Sequence, residues 1–108
     1  MADQRALAVC EELGRKIRAA GLPVDGLVLF GSMARGDSRK WSDIDVILLI
    51  KDGVSTDVFD DTRREVYLLA MKLDTRVELL PMYASRFQND DATPIVEVAR
   101  TEGIRIAA

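Results

Sequence analysis

The run Asp43-Ile44-Asp45-Val46-Ile47-Leu48-Leu49-Ile50 constrains the fold more than any other segment of the chain. Successive side chains of a strand point to opposite faces, so a strand that is apolar at nearly every position must be covered on both sides. The chain therefore has to place packing layers against both faces of a sheet. With 108 residues it has material for one such domain, residues 1–108.

The flanking sequence supplies the layers. Leu7, Cys10, Leu13, Ile17 and Ala20 recur at helical spacing, with Asp3 as the cap and Gly21 as the stop. Leu22-Pro23 turns the chain into a strand, Val24 to Phe30, and Gly31-Ser32 ends it abruptly. Ser32 to Arg35 has the length of a single helical turn, and Gly36 to Ser42 reads as a polar loop. After Lys51-Asp52-Gly53, Ser55 or Thr56 caps a helix with the stripe Phe59, Val66, Leu69, Ala70 and Leu73. A third strand is expected from Arg76 to Leu80, ended by Pro81, and a short helix around Phe87. Thr93-Pro94 opens a last helix that Gly103 closes, and Ile104 to Ile106 forms a last short strand. This alternation predicts an α+β (α/β) domain with helices on a small sheet.

Composition removes whole classes of chemistry. Histidine is absent and Cys10 is the sole cysteine. Histidine-based triads, zinc sites and redox cysteine pairs are therefore excluded, and a metal here would be held by oxygen, which favours Mg²⁺, Mn²⁺ or Ca²⁺. A net charge of −3 is ill suited to holding nucleic acid through its phosphates. No apolar run has the length of a membrane span, and the N-terminal residues lack the pattern of a signal peptide, so a cytoplasmic location is expected.

One constellation points to chemistry. Gly31-Ser32 stands where a strand turns into a helix, so free backbone N–H groups face outward as an anion site, and glycine lets a phosphate come close. Arg35 follows within a turn, with Arg39 and Lys40 in the next loop. Asp43 and Asp45 lie at i and i+2 of a strand and so share a face. Two carboxylates that close repel unless a divalent cation joins them. Glu78, inside Val77-Glu78-Leu79-Leu80, is a charge in an apolar strand and calls for a partner. If its strand lies beside Asp43–Ile50, the three acids can share one or two metal ions. A phosphate-binding turn, strand carboxylates and Mg²⁺ are the parts needed for group transfer from a nucleoside triphosphate.

Gly31-Ser32-Met33-Ala34-Arg35-Gly36-Asp37 followed by Trp41-Ser42-Asp43-Ile44-Asp45-Val46 resembles the minimal nucleotidyltransferase (MNT) family of the DNA polymerase β-like superfamily. The likeness extends over about the whole chain, with residues 30 to 46 the most specific part. It implies a small mixed sheet with helices packed mainly on one face. It also implies Asp43 and Asp45 as metal ligands, Glu78 as the third acid, and Gly31 and Ser32 as triphosphate binders. Glu78 stands where the family often has aspartate. Small members of the family are commonly encoded beside a HEPN-domain protein, as antitoxins that transfer AMP to the toxin.

The expected activity is therefore Mg²⁺-dependent transfer of a nucleoside monophosphate, AMP from ATP, to a hydroxyl on a partner protein such as a HEPN toxin. Expected catalytic and metal residues are Asp43, Asp45 and Glu78; Gly31, Ser32 and Arg35 are expected to bind the nucleotide. The alternatives are an antitoxin that neutralises a HEPN ribonuclease by contact alone, and a transferase acting on a small molecule such as an aminoglycoside. The helical domain that holds the acceptor in larger relatives is missing from this sequence, so acceptor recognition is expected from a partner or a second copy, in a homo- or hetero-oligomer. Trp41 is expected to pack beside the site, and Tyr67 and Tyr83 to serve in packing.

Overall fold

The computed structural model describes residues 1–39 and 42–108. Helix α1 (Gln4–Ala20) starts where the Asp3 carboxylate accepts the Ala6 N–H at 2.9 Å, and ends at Gly21, whose positive φ of 68° suits glycine. Its buried stripe is Ala6, Val9, Cys10, Leu13 and Ile17. Leu7 is only partly covered and Ala20 is exposed, so the helix is rotated slightly from the face its sequence spacing implied. Strand β1 (Val24–Phe30) leads into the four-residue helix α2 (Ser32–Arg35), and β2 (Ile44–Ile50) follows. Ser55 caps α3 (Thr56–Leu73) through the Val58 N–H. Strand β3 (Val77–Tyr83), α4 (Ala84–Asn89), α5 (Pro94–Glu102) and β4 (Ile104–Ile106) complete the chain.

The sheet order is β3-β2-β1-β4. β1 runs antiparallel to both β2 and β4, and β3 runs parallel to β2, so the sheet is mixed. The two long helices, α1 and α3, cover one face over Leu27, Leu29, Val46, Leu48 and Ile50. The shorter α4 and α5 cover part of the other, where Phe87, Val96 and Ala99 meet Val28, Phe30, Ile47 and Leu49. β2 is thus apolar on both sides because both sides are packed, and its one half-exposed residue is Asp45.

Pro81 does not end the third strand, which continues to Tyr83 with Pro81 opposite Leu48. Among the described residues β3 lies at the sheet edge and pairs only with β2, so a residue without an N–H is accommodated where that group would face away from the ladder. Cys10 is fully buried, and burial pushes its thiol pKa up to about 12, in keeping with a core residue. Tyr83 is held by its hydroxyl, which donates to the Val54 carbonyl at 3.0 Å, and by its ring against Phe59 at 4.7 Å.

Candidate active site

The end of β1 and the starts of β2 and β3 lie side by side. Phe30 is opposite Asp45 across the antiparallel pair, and Glu78 is opposite Asp45 across the parallel pair. Asp45 therefore sits between Gly31 on one neighbour and Glu78 on the other. Alternation along β2 puts its side chain on the face of Ile47 and Leu49, past the reach of the small core beneath α4 and α5. Asp43 precedes the strand and is exposed, as is Glu78. The position of β2 against β3 at this end is fixed by the Ile44 N–H, which donates to the Arg76 carbonyl at 2.9 Å.

Gly31 is shaped for this corner. Its φ of 74° and ψ of −157° lie in a region open essentially to glycine alone. A Cβ there would also fall 2.6 Å from Asp45 Oδ2. Any larger residue would push on the carboxylate. Gly31 caps α2 without a side chain, so the first N–H groups of that turn, beginning at half-buried Ser32, have no intrahelical partner. Buried Met33 and Ala34 anchor the turn, and the Asp3 N–H donates to the Met33 carbonyl at 2.8 Å.

Asp45 feels the two other acids. The Asp45 carboxyl is raised above its ordinary pKa, first by burial and then by the charges of Glu78 and Asp43. Among the described residues no three acids close into a ready metal cage. An open arrangement of this kind fits Mg²⁺ or Mn²⁺, which bind through one or two carboxylates and complete their shell with substrate phosphates. Asp43 and Asp45, with Glu78 alongside, would hold such an ion.

Arg35 turns elsewhere. Its guanidinium donates to Asp37 at 3.2 Å and to Glu102 at the end of α5 at 3.5 Å, an exposed network. Arg39 is exposed, with its N–H bonded to Ser42 Oγ at 2.8 Å. Lys40 and Trp41, the loop cation and the expected packing residue, lie outside the described residues.

Sequence reasoning did not identify a cleft of about 460 Å³ beside Glu78, lined by Asp43, Arg63, Tyr67 and Met71 together with the start of β3. Residues 63, 67 and 71 recur every four positions, so they share one face of α3. That spacing was the available signal. Tyr67, expected to pack, is 51% exposed and lines this cleft.

The profile of the nucleotidyltransferase domain family matches residues 10–103. The chain belongs to the nucleotidyltransferase domain family. This nucleotidyltransferase resembles a Sulfolobus solfataricus protein provisionally classed in the same way, with 16% identity over 94% of this chain and 78% of the other, at a TM-score of 0.62. It resembles a toxin–antitoxin structure with AMP-PNP at 24% identity, covering 88% of this chain and 70% of that one (TM-score 0.55). It also resembles the Shewanella oneidensis complex of a tri-AMPylated HEPN toxin with an MNT antitoxin at 18% identity, covering 93% and 70% (TM-score 0.51). These likenesses establish a shared fold. No curated protein matches the sequence significantly. No helix among the described residues is long and apolar enough to cross a membrane.

Proposed function

We propose that this nucleotidyltransferase moves AMP from ATP to a hydroxyl of a partner protein, with Mg²⁺ as the metal, and that the partner is a HEPN toxin for which it serves as antitoxin. The observation that carries the reading is the position of Asp45 between Gly31-Ser32 and Glu78 on three adjacent strands. Family membership supports transfer of a nucleotide. The AMP-PNP and AMPylated-toxin complexes of the structural neighbours support the choice of nucleotide and of partner.

In-line displacement at phosphorus needs the leaving group and the nucleophile on opposite sides. The sheet order supports that division. The backbone N–H groups after Gly31 receive the leaving end of the triphosphate on the β1 side, and Glu78 meets the acceptor on the β3 side. The hydroxyl oxygen forms a bond to the α-phosphorus, the bond to the bridging oxygen breaks, and pyrophosphate departs with that electron pair. The hydroxyl proton passes to the Glu78 carboxylate. When bound, the divalent cation supplies charge neutralisation and lowers the pKa of the hydroxyl. Asp43 and Asp45 would hold it beside the phosphates. The Arg35 ion pairs are exposed and individually weak, so its guanidinium is free to exchange a carboxylate for a phosphate.

Calorimetric titration with ATP, with Mg²⁺ and then with EDTA, together with transfer of label from α-labelled ATP to the partner, tests this reading. Metal-dependent binding and labelled partner are expected. Equal ATP affinity in EDTA, or inhibition of the toxin without label, would overturn it in favour of neutralisation by contact.

A further inference from the structure

The cleft beside Glu78 runs along the side of β3 that no strand occupies among the described residues. The Ile44 N–H bond to the Arg76 carbonyl sets the phase of the β2–β3 ladder. Even-numbered residues of β3 turn their backbone groups toward β2, and odd-numbered ones turn theirs to the open edge. The Val77 N–H is used by the Asp74 carbonyl at 3.3 Å. That leaves the Val77 carbonyl and both backbone groups of Leu79 facing outward, in residues that line the cleft. Pro81, two positions on, has no N–H to offer. The open edge can thus pair with only a short extended segment, and that segment must lie next to Glu78.

The side chains above this edge can meet those of a polypeptide. Tyr67 and Met71 give an apolar wall. Arg76 is already bonded to Asp74, whereas Arg63 has no ion-pair partner among the described residues. The triphosphate side of Asp45 lies on the opposite neighbour, β1.

Building on the transfer reading above, we propose that this cleft is the acceptor groove. An extended segment of the acceptor protein adds a short strand to β3 at Val77 and Leu79, its hydroxyl residue beside Glu78 and an acidic residue beside Arg63. The hydroxyl oxygen then bonds to the α-phosphorus as pyrophosphate leaves, and its proton goes to Glu78. Strand addition of this kind takes affinity from main-chain bonds and selectivity from side-chain pockets.

The test uses pools of peptides about eight residues long, within the usual range of a strand, each with a central Tyr, Ser or Thr flanked by either Asp/Glu or Lys/Arg. AMP transfer from ATP to each pool is compared within wild type and within Arg63→Glu, an exchange on a partly exposed helix face, with the melting temperature of the variant checked alongside. Wild type should favour acidic flanks by about tenfold, the value of one charge-assisted contact, and Arg63→Glu should reverse the order. Acid-flanked peptide should also slow hydrogen exchange at the Leu79 amide. An unchanged flank preference in the variant, an unprotected Leu79 amide, or transfer confined to small-molecule hydroxyls would overturn the groove while leaving nucleotidyl transfer intact. Absence of any Asp45-dependent ATP turnover would overturn the transfer reading and the groove with it.

Discussion

Gly31 and Asp45 are built against each other: the space that a Cβ on Gly31 would fill lies 2.6 Å from Asp45 Oδ2. The glycine gives the carboxylate room, and its unusual backbone turns α2 toward the same corner. One residue thus sets both the turn into α2 and the room left for the Asp45 carboxylate.

Gly31→Ala should therefore damage stability and function together. The backbone conformation alone costs about 1–3 kcal/mol for a residue with a side chain, and the displaced carboxylate should abolish metal-dependent ATP binding. Gly53→Ala is the control, since Gly53 also has positive φ but open space around it. It should lose stability but keep ATP binding. Urea unfolding and calorimetry on both variants would reveal the difference, and normal ATP affinity in Gly31→Ala would contradict the packing argument.

Asp45→Asn should abolish transfer yet raise the apo melting temperature near neutral pH. The folded-state pKa of Asp45 is raised, chiefly by burial and then by Glu78 and Asp43, so ionisation is less favourable folded than unfolded. The penalty is absent below the ordinary value of 3.8, develops as pH rises through the folded value, and stays constant above it. Melting curves of both proteins should separate near pH 7 and converge in acid, before the fold is lost.

Glu78→Gln should slow transfer on the order of a hundredfold, the lower range for loss of a general base. ATP affinity should change far less, because the proposed transfer has the nucleotide held from the β1 side. Single-turnover rates and ATP titration of this variant check it; an unchanged rate would leave a two-carboxylate site.

Asp74→Asn probes the support behind Glu78. The Asp74 carboxylate accepts from the Arg76 backbone N–H, Nε and Nη2 at 2.9, 3.1 and 2.9 Å, and these bonds hold its pKa below the usual value. A lowered folded pKa contributes stability above the ordinary carboxylate range that disappears as pH falls through the folded value. The variant should melt about 4–8 °C lower at pH 7, the shift that ~1 kcal/mol produces in a domain of this size. The gap should narrow in acid.

Much of this architecture was legible because it is local. The aliphatic run of β2, the Ser55 cap and the Thr93-Pro94 helix start each carry their own signal within a few residues. The juxtaposition of Gly31, Asp45 and Glu78 followed from strands placed side by side. Pro81 misled because its effect depends on which edge of the sheet it occupies, a tertiary fact. The exposed pairing of Arg35 with Glu102, 67 residues away, has no local trace. The cleft beside Glu78 was hidden for the same reason: Arg63, Tyr67 and Met71 come together with β3 only when α3 lies along it.

Asp45 reaches its corner only through the register of the central strand. A one-residue slip of β2 would turn its side chain to the face covered by α1 and α3 and bring an aliphatic residue to the corner. The position of Asp45 is therefore tied to the pairing of β2 with both neighbours. In graded denaturant, activity should vanish along the same curve as the folded fraction, and substitutions deep in either core should act on the amount of working enzyme more than on the turnover of each molecule.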